Sequence, residues 1–280
     1  MNGEQALLTI EELKEKAIVI RQTIITMISA AQAGHPGGSL SAADIVTALY
    51  FRVMRIDPQN PKWEDRDRFI LSKGHACPVW YSALAERGYY DRSHIYTLRK
   101  LNSLLQGHAD MIKTPGVDFT VGSLGQGICA GVGMALAGKL HKKDYHVWVI
   151  IGDGETQEGS VWEAAMAGAK WKLDNLTVIL DQNGIQNDSF CVDVMPVESL
   201  AEKWRAFCWN VVEIDGHDMA QVVSALENAR QVKGVATIII AKTVKGRGVS
   251  FMENEPAWHG KAPDEAQTKQ ALEEISRGLK

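Results

Sequence analysis

Asp153 and Asn183 are the two side chains whose spacing points most directly to chemistry. Asp153 stands in Gly152-Asp153-Gly154, directly after the apolar run Val147 to Ile151. Asn183 stands in Asp181-Gln182-Asn183-Gly184-Ile185, after a second apolar run, Leu176 to Leu180. A long amphipathic segment separates the two runs. Strand, helix and strand in that order read as a right-handed parallel crossover, which brings the C-terminal ends of both strands to one edge of the sheet. Asp153 and Asn183 therefore meet although 30 positions separate them. A carboxylate oxygen, an amide oxygen and a backbone carbonyl make a hard, oxygen-only site suited to Mg²⁺ or Ca²⁺. A helix opening after Gly154 can turn its first amides toward a phosphate. The geometry points to a divalent metal bridging a diphosphate.

Four histidines share one setting. His35, His75, His108 and His259 all stand in glycine-flanked turns. One such histidine reads equally well as a solvated turn residue. Four alike, two of them directly after strand or helix ends, point to a common cleft, where imidazole can hydrogen-bond phosphate or substrate oxygens in either protonation state. His94, His141, His146 and His217 read as ordinary, with His217 in a strand-exit turn. Taken alone, Gly152-Asp153-Gly154 reads as a turn or helix cap; Glu158 and Asn183 in register with it turn it into a site. Gly122 to Gly127 has a rival reading as a dinucleotide fingerprint. No strand feeds it and no acidic residue follows at the required distance, so that reading is rejected. Trp162 and Trp171 fall at helical positions and read as core.

The elements that must position these groups alternate along the chain. Thr9-Ile-Glu-Glu12 is a capping box opening a helix, with Ile10, Leu13, Ala17, Ile20, Ile24, Met27 and Ala31 on one face and Gly34 at its end. His35-Pro36-Gly37-Gly38 reads as a turn that cannot be helical, and Ser41 restarts a helix. Arg68 to Ser72 is a short buried strand delivering Lys73-Gly74-His75-Ala76 to a sheet edge. Helical pieces follow around 79–86 and 93–101. A helix rich in small residues opens at Gly122 to Gly127. Each glycine in it lowers helix stability by about 1 kcal/mol, so another backbone, a ligand or a second subunit must come close. Beyond the crossover lie strands at 209–215 and 236–242, a helix between them, and a charged helix from Asp264. The class is α/β, a mainly parallel central sheet flanked by helices, in one domain over residues 1–280.

Composition narrows the function classes. The 280 residues are 45% hydrophobic and 23% charged with a net charge of −4, which gives no nucleic-acid footprint. The four cysteines, Cys77, Cys129, Cys191 and Cys208, show no metal spacing and read as reduced core residues of a cytoplasmic protein. Met1 to Gln5 lacks the basic and apolar regions of a signal peptide, and the apolar runs are too short to span a bilayer, so no membrane role is expected.

Together these residues resemble a known family. Gly152-Asp153-Gly154 through Asn183 is similar to the thiamine diphosphate motif. His35-Pro-Gly-Gly, Ser72-Lys-Gly-His75-Ala, Gly107-His108, Gly122-Ser-Leu-Gly-Gln-Gly and Trp258-His259-Gly resemble transketolase, in the family's order and over nearly the whole chain. The resemblance implies that Asp153, Asn183 and the Ile185 carbonyl hold Mg²⁺ or Ca²⁺. It implies that His75, His259 and the Gly154 amide contact the diphosphate of thiamine diphosphate, and that Gly122 and Leu124 lie near its aminopyrimidine. His35 and His108 would face the donor ketose, making them, with His259 and Glu158, the catalytic set. Glu158 would join a glutamate network linking two active sites. The family motif often ends Asn-Asn where this chain has Gln182-Asn183; the ligand position is the second, so metal binding is expected to survive.

A full transketolase has further pyrimidine-binding and C-terminal domains, and this chain stops near the end of the first. In the family, the glutamate that activates the cofactor comes from the pyrimidine domain of another protomer, as do the arginines that hold the sugar phosphate. The resemblance therefore implies the N-terminal subunit of a split transketolase, working on sugar phosphates with a separate C-terminal subunit in an α₂β₂ assembly. Two rivals are the alpha subunit of a 2-oxo-acid dehydrogenase, which shares only the Gly-Asp-Gly…Asn motif, and a non-catalytic cofactor-binding relic.

Overall fold

The structure, a computed structural model, describes residues 7–278; the Met1 to Gln5 stretch weighed above as a signal peptide lies outside them. Among the described residues five strands form one parallel sheet: β1 (Arg68–Leu71), β2 (Val147–Gly152), β3 (Leu176–Gln182), β4 (Asn210–Asp215) and β5 (Thr237–Lys242), in the order β1-β2-β3-β5-β4. Val147 to Ile151 are all fully buried, as a strand covered on both faces requires. The register pairs Gly152 with Asp181 and Gln182 with Lys242. The exits of β2, β3 and β5 are therefore level, and the segments after them start from one edge.

Among the described residues ten α-helices surround the sheet: α1 (Ile10–Ala31), α2 (Pro36–Ser41), α3 (Ala43–Ala48), α4 (Cys77–Arg87), α5 (Gln126–Leu140), α6 (Gly159–Lys170), α7 (Cys191–Val194), α8 (Leu200–Ala206), α9 (Met219–Gln231) and α10 (Glu265–Ser276). The Thr9 capping box opens α1: Thr9 accepts from the Glu12 amide at 3.3 Å and its own amide donates to Glu12 at 2.7 Å. Such a cap stabilises a helix by about 1 kcal/mol. Its buried face is Leu13, Ala17, Ile20, Ile24 and Met27, as the spacing requires, and the helix ends at Ala31 with Gln32 left-handed. The small residues of α5 do meet a close neighbour: a Cβ on Gly127 would stand 2.7 Å from the Ser72 Cα. The packing partner there is the exit of β1.

Several expectations are corrected. His35-Pro36-Gly37-Gly38 is not a turn; Pro36 opens α2, where its missing N–H costs nothing. The glycines are there for contact, since a Cβ on Gly37 would sit 3.0 Å from Lys245 Cγ and 3.1 Å from the Trp258 carbonyl. Gly154–Gln157 is a short 3₁₀ turn, so the long helix after the carboxylate begins only at Gly159. The 93–101 piece is a 3₁₀ turn over Arg92–Thr97. Trp171 is not core: it caps the end of α6 and is 51% exposed. Trp162 is half-buried, donating from Nε1 to the Thr156 carbonyl at 2.8 Å. Of the cysteines, only Cys77 and Cys191 are buried, and Cys208 is exposed. Among the described residues, no helix is long and apolar enough to cross a membrane.

Candidate active site

Asp153 follows β2 and is 3% exposed. Its two oxygens accept from the Gly154 amide at 2.8 Å and the Gly184 amide at 2.5 Å, so the carboxylate is bonded across to the segment that leaves β3. The crossover thus brings Asp153 and Asn183 together. Burial pushes the Asp153 carboxyl up to about 6; the Gly184 N–H opposes this and the neighbouring Asp181 charge adds to it. Asn183 Oδ1 accepts from the Ile185 amide at 3.2 Å, and its Nδ2 donates to Asp181 at 3.2 Å. That second bond sets the amide orientation, which keeps an oxygen available as a donor to a metal.

Asp181, the last buried residue of β3, is a hub that the sequence reading did not single out. Ser41 donates to it at 2.6 Å, and Lys73 and Thr243 donate through short contacts. Burial works against its ionisation, but the Lys73 ammonium and these donors outweigh that and hold its pKa below the usual value. Lys73 also donates to the Gly38 carbonyl at 2.7 Å, tying α2 to the sheet edge. Glu155 is a second unforeseen anchor. It is 2% exposed and accepts from the Gly125 amide at 2.8 Å, the Gly152 amide at 3.1 Å and the Ser72 hydroxyl. It fixes the Gly122 to Gly125 loop, and with it Leu124, against the exit of β2.

Three of the four histidines form a cluster. Ring centroids lie 4.9 Å apart for His75 and His259, 5.2 Å for His35 and His75, and 5.3 Å for His35 and His259. Burial lowers all three: His35 to about 4, His259 to about 3, and His75 well below its ordinary value. They are neutral at pH 7. Lys245, which the sequence reading passed over, stands among them. Its Nζ lies 2.7 Å from the Ile185 carbonyl oxygen and 2.7 Å from His259 Nδ1. Burial first, and then the charge of Lys73, lower it to about 8.

One cavity of ≈ 370 Å³ is lined by His35, His75, Gly122, Leu124, Asp153, Gly154, Glu158, Asn183, Ile185 and His259, together with Lys73 and Lys245. Every residue expected at the site lines it except His108. That side chain is exposed and flanks Gly122, whose Cβ would lie 3.5 Å from His108 Cγ. Glu158 is exposed at the rim. Gln182 points away from the cavity, donating to Glu198 at 2.8 Å. His217 does follow β4, as a strand-exit turn should, but it is bonded on both ring nitrogens.

The donors fit a hard cation and an anion side by side. Among the described residues no three His, Cys, Asp or Glu side chains gather as a metal site, whereas Asp153, Asn183 and the Ile185 carbonyl line one cavity as a mixed oxygen set of the kind a hard cation takes. Asp153 is desolvated with no bonded cation, which a divalent metal would supply. The Ile185 oxygen has a second lone pair beyond the one Lys245 uses. Lys245 and neutral imidazoles alongside are groups that hold phosphate oxygens.

Comparison with known proteins agrees with this geometry. The family described as "Transketolase, thiamine diphosphate binding domain" matches residues 13–277. The chain is 44% identical over 266 residues to the 6-deoxy-6-sulfo-D-fructose transketolase subunit of Clostridium sp. (strain MSTE9), covering 95% of this chain and 97% of that one. It is 40% identical to an apulose-4-phosphate transketolase subunit of Phocaeicola vulgatus, covering 96% of each. Among solved structures, transketolase from Campylobacter jejuni superposes with a TM-score of 0.90 at 33% identity, over 96% of this chain and 43% of that one. The chain belongs to the transketolase family, as its thiamine diphosphate-binding domain.

Proposed function

We propose that this chain is the N-terminal subunit of a two-chain transketolase. With a separate C-terminal subunit it transfers a two-carbon ketol unit from a ketose phosphate to an aldose phosphate. Asp153, Asn183 and the Ile185 carbonyl hold Mg²⁺ (or Ca²⁺). His75, His259, the Gly154 amide and Lys245 hold the diphosphate, and Gly122 and Leu124 face the aminopyrimidine. His35 and His108 face the donor sugar, and Glu158 joins the network toward a second active site. Thiamine diphosphate, when bound, supplies the carbanion chemistry. The glutamate that activates it comes from the partner subunit, in an α₂β₂ assembly in the cytoplasm.

The observation that carries this reading is the buried Asp153 carboxylate beside Asn183 and the Lys245–histidine cluster in one cavity. The near end-to-end match to relatives that are themselves named transketolase subunits supports the two-chain form. The test is hydrogen–deuterium exchange at thiamine C2, followed by NMR, in the purified chain with Mg²⁺ and with cofactor occupancy measured separately. Slow exchange with cofactor bound is expected, rising when the partner is added. Fast exchange from this chain alone would overturn the half-enzyme reading. Ketose phosphate offered against pyruvate plus a lipoyl acceptor separates this activity from that of a 2-oxo-acid dehydrogenase.

A further inference from the structure

Behind the diphosphate end of the cavity lies a buried ionic chain that none of the roles above uses. Arg21, on α1, is fully buried and forks onto Asp44 of α3, with Nη1 2.9 Å from Oδ1 and Nη2 2.6 Å from Oδ2. Asp44 Oδ2 also lies 2.8 Å from His217 Nδ1. On the other side of the same ring, Nε2 accepts the Val244 N–H at 2.8 Å. Val244 immediately precedes Lys245. The chain therefore runs from the middle of α1 to the backbone of the residue next to the cavity lysine.

Its chemistry has one consistent assignment. A ring nitrogen that accepts an amide N–H carries no proton, so His217 is neutral and bears its proton on Nδ1, facing Asp44. Asp44 stays anionic. Burial opposes its ionisation, but the Arg21 guanidinium and the His217 bond bring it down to about 2. The turn that presents His217 is shaped for this job. Asp215 Oδ1 accepts from the His217 amide at 2.8 Å, and Gly216 is pressed against the β5 exit, where a Cβ would stand 2.5 Å from Thr243 Cγ2. Burying a charged pair is a poor way to gain stability, because desolvation offsets the attraction. What such a chain supplies is direction: a carboxylate behind a histidine fixes its tautomer and ring orientation.

We propose that Arg21, Asp44 and His217 are positioning residues that hold the Val244 amide and so aim the Lys245 ammonium at the cofactor diphosphate. The inference rests on the reading of Lys245 as a diphosphate ligand. Without the His217 bond, the β5 exit loop is free to swing, and the long lysine side chain loses its fixed reach to the Ile185 carbonyl and His259. His217→Gln keeps a donor and an acceptor on one planar group. His217→Asn is one carbon too short to reach both partners, and His217→Ala keeps neither.

The test is a double-mutant cycle on the full chain, read as thiamine diphosphate affinity by calorimetry with Mg²⁺. Lys245→Ala and His217→Ala should each weaken binding, His217→Ala by roughly 10-fold. On the Lys245→Ala background, His217→Ala should change affinity by less than about twofold, because the group it acts through is gone. His217→Gln should bind nearly as the native chain does, and His217→Asn should not. The same loss from His217→Ala on both backgrounds overturns the inference, as does no loss at all. If His217→Ala does not fold, the Gln and Asn variants decide: equal affinities overturn it and the expected order upholds it. Unchanged affinity in Lys245→Ala alone would instead remove Lys245 from the site, and the inference with it.

Discussion

Asp153 follows β2 and Asp181 stands near the end of the adjacent strand β3, and the two are buried alike, at 3% and 0% exposure. Yet the carboxyl at the exit of β2 is pushed up to about 6, while the one at the end of β3 is held below its ordinary value. Burial raises both. The difference is the bonded counter-charge: the Lys73 ammonium and two hydroxyls donate to Asp181 directly, whereas Asp153 is bonded to two backbone amides, has a like charge nearby and meets the Lys245 ammonium only through space. Two N–H dipoles do not replace a cation in a desolvated site. The end of β3 carries its own bonded counter-charge within the chain, whereas the exit of β2 relies on backbone amides, and a cation there is what the proposed function would add.

That contrast is testable by removing each charge. Lys73→Met should have the largest effect, because it leaves Asp181 as an uncompensated buried charge; the expected loss is about 3–5 kcal/mol of stability. It would appear as a lower urea midpoint with an unchanged m-value. A loss below about 1 kcal/mol would mean that Ser41 and Thr243 alone sustain the carboxylate, and the contrast with Asp153 would fail. Asp153→Asn should behave in the opposite way. It gives up one amide contact but sheds a desolvated charge, so the cofactor-free chain should keep its stability to within about 1 kcal/mol. Its affinity for thiamine diphosphate with Mg²⁺ should fall by about 100-fold or more. An unchanged calorimetric isotherm would remove Asp153 from the metal site.

The same contrast marks what could be read before the structure. The meeting of Asp153 with Asn183 follows from two apolar runs, a crossover and its handedness, all of which are local or general rules. The histidine cluster was legible because glycine or proline stands beside each of its members, although His35 caps α2 and His75 lies in a 3₁₀ turn. Lys73, Asp181, Glu155 and Lys245 were not singled out, although Lys73 and Asp181 lie inside quoted motifs. A lysine in a sequence reads as a solvated surface charge, and only the sheet brings Lys73, after β1, against the buried Asp181 of β3. The helix at Pro36–Ser41 was hidden for a related reason. Its glycines read as flexibility, while their role is to admit Lys245 and Trp258. His217 looked like turn chemistry because its partner Asp44 is 173 positions away.

The start of β2 offers a control for its exit. His146 is 4% exposed, with Nε2 2.8 Å from Thr177 and its ring 4.3 Å from Trp148. Burial, then the charges of Arg230 and Lys233, lower it to about 3. The unfolded chain takes up a proton below pH ~6.5 while the folded chain does not. This contribution to stability is complete above pH ~6.5 and is lost as pH falls toward 3, amounting to about 2 kcal/mol by pH 5. His146→Gln should flatten the melting temperature between pH 7 and pH 5 relative to the native chain. An equally steep loss in the variant would place the acid sensitivity elsewhere.

The smallest expected effect separates the neutral from the charged side of the diphosphate site. His259 accepts at Nδ1 from Lys245, which leaves its proton on Nε2. With its pKa lowered to about 3, it is an uncharged donor at pH 7. His259→Ala should therefore weaken thiamine diphosphate binding by about 10-fold, the worth of one hydrogen bond to a charged oxygen. Lys245→Ala removes a charge as well as a donor. Added salt screens attraction to the Lys245 ammonium but has little hold on a neutral imidazole. Titrations at low and high ionic strength should find the His259 deficit nearly constant and the Lys245 deficit shrinking. A His259 deficit that shrinks equally with salt would mean that the imidazole binds as a cation, and the neutral cluster would have to be redrawn as a charged one.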